Sequence, residues 1–323
     1  MAPTGLRYDE LHRRGPAGAW RPLVGVPLVA LLFFFGQFAL MGVFTVALVL
    51  TARDSHEIAD QLSGDPVTPA FLAFVNLGWA LAIPAVLAVA FVLHRQRPGA
   101  VVSVAGRLRW RWLALCLGLA AAALAITVVV STLLPDQGAG TVGVDDAPNP
   151  WTTTVRDFVL VVVLLTPLQA AGEEFVFRGY LAQAFGGLAT RLGSRAAAGV
   201  AVVVPALLFA AAHGLGQDLP VFFDRFAFGV VAGALVLLTG GLEAGIAMHV
   251  LNNFLAFGLA LAFGDMTDAL HPTGGTWWSI PVTLTQSASY LLLTVWAARR
   301  LHVAARMPPP EGGGILETRR GRV

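Results

Sequence analysis

Eight stretches are apolar over something near the 20 residues that a helix needs to cross a bilayer. They are Pro22–Leu50, Pro69–Leu93, Leu113–Leu134, Phe158–Leu181, Ala196–Ala212, Leu219–Leu238, Leu242–Phe263 and Ser279–Ala298. Within hydrocarbon every backbone N–H and C=O must find its partner inside the protein, so such runs become helices. The composition agrees: 56% of the 323 residues are hydrophobic and 12% are charged, where a soluble domain has roughly a quarter charged. The expected fold is all-α, a polytopic membrane helical bundle with about eight transmembrane helices over residues 22–298. Residues 1–21 and an Arg-rich tail, 299–323, flank it, and Leu181–Arg195 is expected to form an interfacial helix.

The arginines orient the bundle. With the N-terminus inside, 18 of the 21 arginines fall on the inner side, leaving Arg53, Arg156 and Arg225 outside. The positive-inside rule then makes both termini cytoplasmic. No removable signal peptide is expected, because the first apolar run lacks a small-residue cleavage site. The use of Arg without any Lys suggests a bacterial source and hence a bacterial cytoplasmic membrane. Acids such as Asp54, Glu57, Asp145, Asp146 and Asp268 are taken as solvated loop charge, and Asp224 with Arg225 as a local ion pair. His12, His56, His94, His271 and His302 fall in loops or at helix ends and are expected to be exposed. Cys116 lies in an apolar run and is expected to be a small buried hydrophobe. The alternation Arg107-Leu-Arg-Trp-Arg-Trp112 precedes a helix and reads as an anchor for lipid headgroups, not as a nucleic-acid surface.

Against this background Ala171-Gly-Glu-Glu-Phe-Val-Phe-Arg-Gly-Tyr180 stands out. A carboxylate near hydrocarbon costs several kcal/mol unless paired, hydrated or protonated, so two in succession mark the centre of a site. Side chains four apart share a helix face, which lets Glu174 pair with Arg178, Phe209 meet His213 and His249 meet Asn253. Glu173 lies about 100° round from Glu174, so the two carboxylates need not do the same work. Either Glu173 or Glu174 faces the interior as a general base for water. His213 then completes the water-activating pair, and His249 with Asn253 supplies donors to an oxyanion. Alternatively Glu173, His213 and His249 hold a divalent metal such as Zn2+ with a bound water. Counted at about 1.5 Å per residue, Glu173 and His249 lie roughly 10 Å from the inner ends of their helices and His213 about 25 Å along its own. This places His213 nearer the outer face.

The three motifs, Glu-Glu-x-x-x-Arg, Phe-x-x-x-His and His-x-x-x-Asn, stand in that order on successive apolar runs over about residues 158–263. In this the chain resembles the CPBP family of intramembrane proteases, also called the CAAX prenyl protease 2 or Abi family. The resemblance implies that Glu173 is the base, that Glu174 and Arg178 support it, that His213 assists, and that His249 and Asn253 form the oxyanion site. It implies hydrolysis of a membrane protein or lipidated peptide in the bilayer, from a site open to the cytoplasm, by a glutamate or a metal mechanism. The alternative is a non-catalytic membrane protein, a bacteriocin immunity partner or a proton-coupled transporter.

Overall fold

The computed structural model describes residues 5–51, 54–133, 147–214, 216, 218–270 and 277–308. The expectations for Arg53, Asp145, Asp146, His271 and the tail beyond residue 308 lie outside the described residues. Among the described residues the chain is helical, as expected, apart from one short strand pair and an isolated bridge between Ser103 and Gly241. Leu6–Arg7 (β1) pairs antiparallel with Arg306–Met307 (β2), which ties the two ends of the described chain together. A 3-10 helix, Tyr8–Arg14, follows β1.

The helices are α1 (Trp20–Thr51), α2 (Ser55–Ser63), α3 (Pro69–Ala80), α4 (Ala82–His94), α5 (Pro98–Val102) and α6 (Trp110–Ser131). After them come α7 (Thr153–Glu174), a π-helical turn (Phe175–Leu181), α8 (Ala182–Leu188) and α9 (Ser194–Ala212). The last are α10 (Leu219–Thr239), α11 (Glu243–Phe263), α12 (Met266–Leu270) and α13 (Ser279–Arg300). Among the described residues seven helical segments are long and apolar enough to cross a membrane. The eighth expected run is the 22-residue α13, which falls outside that set because Thr, Ser and Gln recur along it. Its polar groups turn inward: Ser287 and Thr294 are buried, and Gln286 Nε2 donates to Asn252 Oδ1 at 3.2 Å.

Helix starts follow local capping chemistry. Thr68, Thr152 and Asp218 each accept from the backbone N–H three residues on, which satisfies one of the donors that a helix N-terminus leaves open. Gly240 ends α10 at φ 71°, a left-handed conformation that glycine adopts without steric cost.

The bundle has two unlike ends. At the end that carries β1 and β2, Arg21 Nη1 donates to the Leu93 carbonyl at 2.6 Å and Gln96 Nε2 to Gln183 Oε1 at 2.7 Å. There Arg109 also clamps Glu243 through Nε at 2.8 Å and Nη2 at 2.7 Å. The 3-10 helix folds back over this end, and Tyr8 donates to the Val101 carbonyl. This corrects two expectations. His12 and His94 are buried, stacked with ring centroids 3.8 Å apart, because the N-terminal segment covers them; burial holds the His12 imidazole well below its ordinary pKa. The expected interfacial helix is α8, buried under that segment along Ala182, Gln183, Ala184 and Gly186. At the far end Asn149 Nδ2 donates to the Gly264 carbonyl at 2.9 Å, and the Val67 N–H to Thr267 Oγ1 at 3.0 Å.

Lipid tails are as apolar as leucine, so helices associate in a bilayer by close packing and polar contacts rather than by escape from water. Gly172 shows how near α7 and α3 come: a Cβ there would collide with the Trp79 carbonyl. Since Glu173 is the next residue, this approach also sets its position. Gly172→Ala is expected to cost about 1–3 kcal/mol through overpacking, measured as a lower unfolding midpoint in detergent; an unchanged midpoint would show that the two backbones have room to part.

Candidate active site

Glu173 and Glu174 end α7, and the π turn begins at the next residue. Single π turns inside helices occur often at functional sites, because the wider coil re-aims the side chains that follow. Here Arg178 returns onto Glu174, with Nη1 3.0 Å from Oε1. Relative exposure is 3% for Glu173, 0% for Glu174, 1% for Arg178 and 4% for His249. Four groups able to carry charge are thus withdrawn from solvent together.

Their partners differ. Glu174 Oε1 faces both Arg178 and His249 Nδ1, the latter also at 3.0 Å. The Arg178 guanidinium lies 4.1 Å above the centroid of Phe209 and 5.6 Å from that of Phe228, so the ring faces supply part of the attraction that water would. His249 presents Nε2 to Glu173 Oε2 at 3.6 Å, beyond hydrogen-bond length. Glu173 Oε1 accepts from Gln169 Nε2, and Gln169 Oε1 accepts from Asn253 Nδ2 at 2.9 Å. Glu173 Oε2, though buried, has no hydrogen-bond partner among the described residues. Gly245 lets α11 approach, since a Cβ there would stand 2.6 Å from Glu174 Oε2.

Gln169 is the site residue that sequence reading missed. It lies four residues before Glu173 in the same apolar run, so polarity at helical spacing was the available signal.

A cavity of about 620 Å3 joins these groups, lined among others by Gln169, Glu173, His213, His249 and Asn253. His213 follows the last residue of α9 and is exposed, at the greater distance along the helix that the sequence implied. One turn deeper, Phe209 bridges the interval: its ring centroid is 4.6 Å from that of His213 and 5.9 Å from that of His249. His213 Nδ1 lies 2.8 Å from the Phe209 carbonyl. A carbonyl only accepts, so Nδ1 carries the hydrogen and, in the neutral ring, Nε2 is the acceptor. Asp224 and Arg225 also line the cavity, with Asp224 accepting from the Thr283 hydroxyl. They belong to the cavity wall, beyond the local pair that sequence suggested.

The metal set inferred from sequence is not assembled. Among the described residues no three His, Cys, Asp or Glu side chains converge closely enough to hold an ion. Glu173 and His249 are neighbours, while His213 is turned to its own helix backbone.

Residues 155–255 match the family model for type II CAAX prenyl endopeptidase, Rce1-like. This segment is similar to the CPBP/CAAX proteases, which supports the family resemblance read from its motifs. The matched range holds the Glu pair, Arg178, His213, His249 and Asn253, and Gln169 as well. No curated protein and no solved structure matches the chain. The seven apolar helices, together with the family-model match, support an integral membrane protein.

Removing one partner of a buried ion pair strands the other charge and costs about 3–5 kcal/mol. Arg178→Ala is therefore expected to lower the unfolding midpoint sharply. Arg178→Lys should rescue only part, since an ammonium cannot stack on Phe209 as the planar guanidinium does. Full stability of the alanine variant would mean that Glu174 does not depend on this pair.

Proposed function

We propose that the chain is an intramembrane endopeptidase in which Glu173 activates water to hydrolyse a peptide bond of a membrane-associated or lipid-modified protein. The observation that carries this reading is the Glu173 carboxylate itself. One oxygen is fixed by Gln169 and the other, Oε2, is buried, without a hydrogen bond and at the cavity wall. A carboxylate so held has one oxygen for orientation and one for a proton.

In the proposed reaction Oε2 takes a proton from water as the water oxygen adds to the carbonyl carbon. Asn253 stands to stabilise the oxyanion through its amide N–H, and His249, whose Nδ1 donates to Glu174, joins it at Nε2 as the imidazolium, with hydrogen on both ring nitrogens. Collapse breaks the C–N bond, and Glu173 returns its proton to the leaving amine, so the products are an acid and an amine and the enzyme is unchanged. His213 Nε2, further along the cavity, is assigned to assist the water. Glu174 and Arg178 position these groups. The protease core is assigned to about residues 158–263 within the bundle of residues 22–298, in a bacterial cytoplasmic membrane with both termini inside. The arginines support that orientation, since they gather at the end of the bundle that holds β1 and β2.

Glu173→Gln keeps the size of the side chain and removes the base. A positioned general base contributes about 10²–10⁴-fold, so cleavage of an internally quenched, prenylated or membrane-anchored peptide should fall by that factor while the unfolding midpoint stays near that of wild type. Equal turnover by the two proteins would sink the assignment. Chelator should leave the wild type unaffected; activity lost to chelator and restored by Zn2+ would transfer the water to a metal.

Gln169→Ala is expected to lower kcat by about 10²-fold with KM little changed, the effect of a misplaced catalytic group. A rise in KM alone would instead make Gln169 a substrate contact.

A further inference from the structure

A second cavity, of about 810 Å3, lies at the end of the bundle that carries β1 and β2. Three arginines border it: Arg14 at the end of the 3-10 helix, and Arg95 and Arg97 in the turn between α4 and α5. Among the described residues none of the three is paired with a carboxylate. The acids described at this end are already engaged, Asp9 by Arg7, Glu10 by Arg13 and Glu243 by Arg109. Arg14 Nη1 lies against the Met307 sulfur, a weak acceptor that leaves its charge uncompensated. Positive charge without a local acid draws anions, most strongly beside apolar walls that lower the local dielectric. Leu11, Val104 and Met307 supply such walls.

The turn after α4 presents these groups under backbone strain. Arg95 closes the helix at φ 49°, and the Gln96 N–H returns to the Ala90 carbonyl at 3.0 Å. Glycine is usual at such a left-handed C-terminal position, because a Cβ is crowded there. Arg95 keeps its side chain in spite of that crowding.

Between Arg95 and Arg97 in the chain, Gln96 is buried, at 7% exposure, and also lines the cavity. Its Nε2 donates to Gln183 Oε1 at 2.7 Å, and Gln183 Nε2 donates to the Ala100 carbonyl at 3.2 Å. A carbonyl only accepts, so this relay fixes the direction of both amides and leaves Gln96 Oε1 as an acceptor. That oxygen is buried and has no hydrogen-bond partner among the described residues, a state that costs free energy until a donor meets it. Arginines alone would suit any anion. An acceptor set among them suits an anion that carries a donor as well.

We propose that this cavity binds a phosphate ester whose alcohol part bears a hydroxyl or ammonium group. Arg14, Arg95 and Arg97 hold the phosphate, and Gln96 Oε1 accepts from the donor. A phospholipid head group of the glycerol type and a soluble phosphate ester share this chemistry. The cavity shares no lining residue with the one at Glu173, and the proposal does not depend on the protease reading.

The test is native mass spectrometry of the full-length protein released from a neutral detergent, which counts bound ligand. The probes are dihexanoyl phosphatidylglycerol and glycerol 3-phosphate. Arg95→Gly with Arg97→Gln removes two charges at the cavity, and glycine accepts the Arg95 backbone. Arg191→Gln with Arg195→Gln removes two exposed arginines of the same end that do not line it. The first pair should weaken lipid binding about 30-fold, and the second no more than about 2-fold at physiological ionic strength. Equal weakening by both pairs would reduce the site to general surface charge and overturn the proposal, as would failure of both probes to bind the wild type. Binding of the lipid alone assigns a phospholipid; equal affinity for glycerol 3-phosphate assigns a soluble ester. The donor is read on the wild type, so this arm stands even where a variant fails to fold. Dihexanoyl phosphatidylmethanol has the same charge and chains without the hydroxyls and should bind about 10-fold more weakly; equal affinity for the two head groups overturns the part assigned to Gln96.

Discussion

The buried contact among Glu174, Arg178 and His249 is the constraint around which the bundle is arranged. An unpaired carboxylate or guanidinium inside a membrane costs several kcal/mol or more, so each must be paired where it lies. Arg178 is stacked on Phe209 from α9 and lies near Phe228 from α10, while His249 comes from α11. Compensating one charge thus fixes three helices relative to α7. Gly172 and Gly245 have no side chain because the backbones of α3 and α11 must come close enough to complete the arrangement.

That arrangement also explains why two adjacent carboxylates are useful. Neighbouring helical positions point about 100° apart, so the pair can serve two neighbourhoods without separating along the chain. Glu174 is engaged by Arg178 and His249 at one oxygen. Glu173 is oriented by Gln169, which is in turn held by Asn253. In the protease reading Asn253 therefore acts on Glu173 through Gln169 as well as on the oxyanion, two demands that a single amide can meet with its two N–H groups.

Much of this was legible in the chain. Length and apolarity gave the helices, and the rarity of charge in hydrocarbon singled out Glu173, Glu174 and Arg178, whose pairing follows from four-residue spacing. What escaped were features set by tertiary cover. His12 and His94 read as exposed because they flank helices, and only the return of the N-terminal 3-10 helix buries them. α13 read as one more apolar span, yet its Thr and Gln positions face the interior, which one-dimensional hydropathy cannot resolve. The metal alternative rested on residue types alone, whereas the count along the helices already set His213 apart in depth from Glu173 and His249.

In the protease reading, a peptide bond in hydrocarbon presents a further obstacle that the cavity would address. Inside a helix each carbonyl is already hydrogen-bonded and shielded, and breaking such a bond in lipid leaves groups that water cannot satisfy. Attack at a carbonyl requires that it first be freed. The polar wall formed by Asn252, Thr283 and Gln286 provides donors and acceptors beside the route to Glu173, so a segment unwinding there exchanges its own helical bonds for side-chain ones. An apolar cavity of the same size would hold the substrate as a helix and keep its carbonyls out of reach. The polarity of α13 that takes it out of the set of apolar spans is, on this argument, what allows an extended peptide to lie against it.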